Sequence, residues 1–172
     1  MDQPKPKKTC WAVIGGGNGG HATAGHLGIM GFPVRLYDIV EETVDKLNEQ
    51  GGIEVEGHVK GFGKLEFATT DIKKALDGAD IVMVVAPAIA HKAIAKTLAG
   101  SLSDGQILFI HPGATGGALE FKKVLEDEGC RADVLIGEAM SLIYAARLAE
   151  TGRVRILGMK GELMVAAIPS NK

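Results

Sequence analysis

Thr9-Cys10-Trp11-Ala12-Val13-Ile14-Gly15-Gly16-Gly17-Asn18-Gly19-Gly20 is an apolar run that ends in glycines. Small residues follow it, Gly19-Gly20-His21-Ala22-Thr23-Ala24-Gly25-His26-Leu27, and they suit the opening of a helix. Gly15, Gly17 and Gly20 stand at the three places of G-x-G-x-x-G, in a strand–turn–helix context. Gly15 permits the tight turn out of the strand, and Gly17 lets backbone approach a pyrophosphate. Gly20 lets the helix pack close to the strand. Amides at the helix start, Asn18 and Gly19 among them, then face the phosphates, and the helix dipole favours their charge by about 0.3–1 kcal/mol. A second apolar run, Pro33-Val34-Arg35-Leu36-Tyr37-Asp38, ends in an acid 18 residues after Gly20. That is where a dinucleotide fold wants a carboxylate for the ribose hydroxyls. A 2′-phosphate would be repelled there, so Asp38 points to NAD rather than NADP.

Composition narrows the class. A chain of 172 residues supports one domain with a proper core and leaves no room for a second full one. Its 24 glycines are about twice the usual share, as expected where many βα turns are tight. A net charge of −2 gives no electrostatic case for nucleic acid or a membrane surface. Residues 1–8 are basic but lack an apolar core after them, so they read as a flexible tail rather than a secretion signal. No apolar run reaches the length of a membrane span. Cys10 and Cys130 have neither metal-ligand spacing nor a disulfide framework. A reducing cytoplasm suits them, and both are expected to stay reduced.

Strand and helix alternate along the chain. Trp11–Ile14, Val34–Tyr37, Ile81–Val85, Ile107–Ile110 and Val134–Ile136 read as strands, most of them apolar throughout, as in a parallel sheet covered on both faces. Helices are expected from Gly19 to Met30, Glu41 to Gln50, Asp71 onward, Ile89 to Leu102 and Gly117 to Glu128. Ile53–Glu56 and Leu65–Ala68 alternate apolar with polar around a glycine-bearing loop, which predicts an inserted hairpin. Ser141–Ala145 suggests another strand. Arg153–Met159 and Glu162–Ile168 flank Lys160-Gly161, which predicts a second hairpin, antiparallel at the sheet edge. The class is therefore α/β: a Rossmann-type doubly wound, mostly parallel sheet over residues 9–172, with an inserted hairpin and antiparallel C-terminal strands.

Further candidates follow the later strands, where ligands of such sheets bind. Ala86, Pro87 and Ala88 are small or rigid enough to let a ribose lie close to backbone. His111, Pro112 and Gly113 follow the next strand and line the expected nicotinamide side. His111 and His91 are weak acid–base candidates, with a loop position for the first and a surface or cleft position for the second as the plainer readings. His21 and His26 are expected as partly exposed packing residues, and Glu138 and Ser141 as loop residues after the last parallel strand.

Ala12-Val13-Ile14-Gly15-Gly16-Gly17-Asn18-Gly19-Gly20-His21-Ala22 resembles the N-terminal start of the opine (octopine/nopaline) dehydrogenases. Val85-Ala86-Pro87-Ala88-Ile89-Ala90-His91, Pro112-Gly113-Ala114-Thr115-Gly116-Gly117-Ala118-Leu119-Glu120-Phe121 and Ile136-Gly137-Glu138 resemble further family blocks, in the family's order. The resemblance implies an NAD-dependent oxidoreductase that condenses an amino acid with a 2-oxo acid and reduces the product. It also implies a second, helical domain carrying the catalytic residues, expected to lie outside this chain; no catalytic residue is carried over. Turnover by the chain alone is therefore not expected, and self-association through an uncovered 153–168 hairpin is. Two other classes stay open: a module that senses NAD(H) without chemistry, and a Rossmann cofactor domain of another kind, ketopantoate-type or flavin-binding.

Overall fold

The computed structural model describes residues 8–170. The tail expected over residues 1–8 lies outside them except for Lys8, whose Nζ donates to the Gly31 carbonyl at 2.7 Å. Sixteen elements follow in order: β1 (Trp11–Ile14), α1 (Asn18–Ile29), β2 (Val34–Tyr37), α2 (Glu41–Gln50), β3 (Gly52–Gly57), β4 (Gly61–Lys64), β5 (Phe67–Thr69), α3 (Ile72–Leu76), β6 (Ile81–Val84), α4 (Ala88–Ala99), β7 (Ile107–Ile110), α5 (Gly117–Asp127), β8 (Leu135–Ala139), β9 (Tyr144–Glu150), β10 (Arg153–Met159) and β11 (Val165–Ile168).

The main sheet has seven strands in the order β11-β8-β7-β6-β1-β2-β5. All its pairs are parallel except β11 with β8. The chain winds outward from β1 in both directions, so the strand order reverses between β1 and β6. A crevice must open there at the carboxyl ends of the strands. On one face of the sheet, α3, α4 and α5 bury Leu76, Leu98 and Phe121 against Ile14, Val84 and Ile110. On the other, α1 and α2 cover Val13 and Leu36.

A second sheet, ordered β4-β3-β10-β9, lies over α1. Its strands alternate, with Ile53, Val55, Val154 and Ile156 turned inward and Glu54, Glu56, Arg153 and Arg155 outward. The helix is thus covered on two sides, and residues 20–25 are all buried. Small residues make this close packing feasible: a Cβ on Gly63 would stand 2.0 Å from the Gly25 carbonyl oxygen.

Both expected hairpins exist with different partners. β3 pairs with β4, inside the stretch read as a loop, while Phe67–Thr69 joins the main sheet beside β2. At the C-terminus β10 pairs backward with β9, turning at Thr151-Gly152 rather than Lys160-Gly161, and β11 pairs with β8 instead. The reason is burial: this pairing lays Val154 and Ile156, both 0% exposed, on α1. It also removes those residues from the surface expected to drive self-association, leaving Leu157, Met164 and Val165 exposed. Cys10 and Cys130 precede β1 and β8, with β6 and β7 between, and no disulfide joins them. At about 4.8 Å per strand they are out of bonding reach.

Candidate functional site

The glycine turn takes its shape from three different constraints. Gly15 has φ +114°, and a Cβ there would stand 2.5 Å from the Val85 carbonyl oxygen. A Cβ on Gly20 would stand 1.7 Å from the Gly15 oxygen, so only glycine lets α1 approach β1 this closely. Gly17 is different: nothing lies within 4 Å of an added Cβ. Open space at Gly17, the N-cap of α1, is what a close-approaching ligand needs. No side chain caps this helix, so its first amides are left without a side-chain acceptor.

Asp38 sits across the turn, at the end of β2. Its Oδ2 accepts from Gly16 N–H at 2.5 Å and its Oδ1 from Val40 N–H at 2.9 Å. These bonds orient the carboxylate and leave each oxygen a further lone pair. Gly16, which the fingerprint does not single out, lies tight against this carboxylate: a Cβ there would meet Asp38 Oδ2 at 2.7 Å and force it to shift.

Between these groups lies a cavity of about 450 Å³. Of the candidate cofactor-binding residues, Gly15, Gly17, Asp38, Ala86 and Pro87 line it. The remaining walls were not foreseen: Tyr37, Ile39 and Val40 after β2, Ile72 of α3, and Ala90, Ala93, Ile94 and Thr97 of α4. Ile39 is 80% exposed, and an apolar pair directly after Asp38 was the signal available for it. Burial, and then the Asp38 charge, raises the Tyr37 hydroxyl above its ordinary pKa.

The other candidates lie off this wall. Asn18 Oδ1 accepts from Leu148 N–H at 2.7 Å, tying it to β9. Gly19 packs under Val85 and Leu142. Ala88 is the exposed first residue of α4. His111 lies in the turn after β7 and is buried, and its Nε2 accepts from Ile143 N–H at 2.9 Å. The neutral ring must then carry its proton on Nδ1, which has no partner among the described residues. Burial also pushes the His111 pKa down. Pro112 is half-buried, and Gly113 is buried with its N–H on the Ala139 carbonyl at 2.8 Å. His91 is buried too, not at the surface; its Nε2 lies 3.3 Å from the Ala86 carbonyl and its ring meets Phe121 edge-on.

Glu138 proves to lie within β8, not after it. Its Oε2 accepts from Ala118 N–H at 2.8 Å and so satisfies the start of α5. His21, expected to be partly exposed, is 0% exposed. The second sheet that covers it could not be foreseen from local pattern.

An open phosphate-facing turn, an oriented carboxylate and an apolar-walled cavity of this size fit the adenosine and pyrophosphate of a dinucleotide. The model of the family described as NAD-dependent glycerol-3-phosphate dehydrogenase N-terminus matches residues 11–128. The chain belongs to this family. The chain is also similar to opine dehydrogenases, along the NAD-binding part of the chain that the family model matches. It is 39% identical over 163 residues to the opine dehydrogenase of Arthrobacter sp. (strain 1C), covering 94% of this chain and 45% of that one. An octopine dehydrogenase structure with NADH and L-arginine superposes with a TM-score of 0.82 at 25% identity, covering 93% of this chain and 42% of that one. A yersinopine dehydrogenase with NADP+ bound gives 0.76 at 14% identity, covering 94% and 41%, and shares the fold alone. The chain spans less than half the length of these relatives. No described helix is long and apolar enough to cross a membrane.

Proposed function

We propose that this chain is the cofactor half of an NADH-dependent opine dehydrogenase-like enzyme, which joins an amino acid to a 2-oxo acid by reductive condensation. The observation that carries the cofactor choice is the charge of the cavity wall. Among the described residues that line it, Asp38 is the charged one, and no Lys or Arg joins it there. A 2′-phosphate would meet a carboxylate with no cation to receive it, whereas ribose hydroxyls donate to it. Arg35, the nearest cation in sequence, is spent elsewhere: it pairs with Glu66 at 2.9 Å and lies over Phe67.

NADH, when bound, supplies the hydride. This chain's residues do the holding: the first amides of α1 take the pyrophosphate, Asp38 the ribose, and Ile39, Val40 and Ile72 flank the base. His111, Pro112 and Gly113 stand toward the other half of the cofactor, beyond β7. His111 and His91 each have Nε2 engaged with backbone, which supports their reading as positioning rather than acid–base groups. The catalytic groups are assigned to the part of the relatives that this chain does not span. A reducing compartment such as the cytoplasm is part of this reading.

Calorimetry with NADH and NADPH tests it first, with NADH tighter by tenfold or more as the expected result. NADPH binding equally well overturns the cofactor assignment. Mixing the chain with NADH, pyruvate and a panel of amino acids tests the rest. Binding without NADH oxidation is expected; steady turnover that vanishes in His111→Ala would make His111 catalytic.

A further inference from the structure

Two backbone amides of the β9–β10 hairpin hold the first turn of α1 from behind the cofactor crevice. Leu148 N–H donates to Asn18 Oδ1 at 2.7 Å, and Gly152 N–H donates to His21 Nε2 at 3.1 Å. Since Nε2 accepts, the His21 proton sits on Nδ1, which donates to the Gly17 carbonyl at 3.3 Å. That carbonyl also closes the first backbone bond of α1, from His21 N–H at 2.9 Å. His21 is therefore a strut with one end on the N-cap residue of the helix and the other on Gly152.

The far end of the strut is fixed. The Gly152 carbonyl accepts from Glu54 N–H and from Gln50 Nε2, each at 2.8 Å. Gly152 itself has φ +85°, and a Cβ there would run into the Gln50 amide at 2.5 Å. Asn18, the first residue of α1, is left with its amide NH₂ as a donor once Oδ1 is occupied. A run of glycines has little conformational preference of its own. Donors that receive a charged group nevertheless have to be held to about 0.5 Å.

We propose that the β9–β10 hairpin is a brace for the phosphate-receiving turn, acting through His21 and Asn18 as positioning residues that fix the direction of the first α1 amides. The proposal rests on the NAD(H)-binding reading and adds to it a role for the second sheet. Its ligand signature is specific: what is lost with the brace is affinity for the pyrophosphate, not for the adenosine.

The test uses the 172-residue chain, with NADH, ADP-ribose and adenosine as probes, and a thermal melt to check each variant. Wild type must bind NADH; failure there removes the cofactor reading itself, and the brace with it. Given that, His21→Leu is expected to weaken NADH and ADP-ribose about tenfold while adenosine changes less than about twofold. His21→Gln, whose amide can accept from Gly152 and donate to Gly17, is expected to restore most of the loss. Leu148→Pro removes the donor to Asn18 without touching the turn, and covers the case in which His21→Leu does not fold. It is expected to weaken ADP-ribose severalfold with adenosine unchanged. Folded variants that bind ADP-ribose as tightly as wild type overturn the proposal. So does a parallel loss of adenosine, which would mean general damage rather than positioning.

Discussion

The two sheets of this protein sit on either side of α1 and are built on different rules. Strands of the main sheet are covered on both faces and read as continuous apolar runs, such as Ile81–Val84 and Ile107–Ile110. Strands of the second sheet alternate, with one face on α1 and the other in water. The strand ends of the first sheet, the turns that leave them and the helices α3 and α4 line the cavity; among the described residues the second sheet supplies no wall of it and bonds to the turn from the other side of α1. Binding chemistry and support are thus divided between layers, and substitutions in the two should separate affinity from stability.

The sharpest break comes from two glycines with similar clashes. Gly20→Ala puts a Cβ 1.7 Å from the Gly15 oxygen, and Gly63→Ala puts one 2.0 Å from the Gly25 oxygen. Each is expected to cost about 3 kcal/mol of stability in urea denaturation, at the upper end for overpacking. Gly20→Ala should also abolish NADH binding, because it displaces the turn, whereas folded Gly63→Ala should retain it. Equal loss of binding in both would erase the division.

Asp38→Ala comes next. A charged hydrogen bond contributes about 1.5–3 kcal/mol, so NADH affinity should fall at least tenfold by calorimetry and the gap to NADPH should narrow. The denaturation midpoint should move little. A large stability loss with unchanged affinity would make Asp38 a structural residue.

A smaller effect sits at the junction of the layers. Burial lowers the pKa of His21 and His26, both on the α1 face under the second sheet, and of His111 under Ile143. For His21, the Gly17 and Gly16 carbonyls and Asp38 pull the other way but do not cancel burial. The unfolded chain takes up protons near pH 6.5 while the folded chain resists them. Their stabilising contribution is therefore full above that pH and is lost as pH falls through and below it. Denaturation at pH 7.5 and 5.5 should show the lower midpoint at 5.5, and His21→Gln should reduce the difference. A midpoint independent of pH would contradict the buried neutral imidazoles.

The least effect is expected on the outer face of the second sheet. Arg153 lies 3.1 Å from Glu54 and 3.9 Å from both Glu56 and Glu150, all well exposed. Arg153→Ala should cost no more than about 1 kcal/mol and leave NADH affinity unchanged.

Where the sequence was legible, the physical demand was local. Gly15, Gly17, Gly20 and Asp38 could be read because a tight turn, an open approach, a close helix and a carboxylate after the second strand each require one residue type at one spacing. The helix Glu41–Gln50 was legible for the same reason, with acids at its start and Gly51 closing it at φ +73°. The hairpins were not. Lys160-Gly161 and Thr151-Gly152 both offer turn chemistry, and nothing nearby in sequence chooses between them.

The sequence alone determined the parallel α/β framework, the glycine turn and the acid across from it, since backbone geometry and apolar periodicity act over a few residues. Only the tertiary structure decided which strands pair beyond that framework. The choice was made by burying Val154 and Ile156 on a helix more than 120 residues earlier in the chain. The same packing enclosed His21 between two layers and turned a helix histidine into a strut for the turn. Long-range burial is a property of surfaces brought together, and no local spacing encodes it.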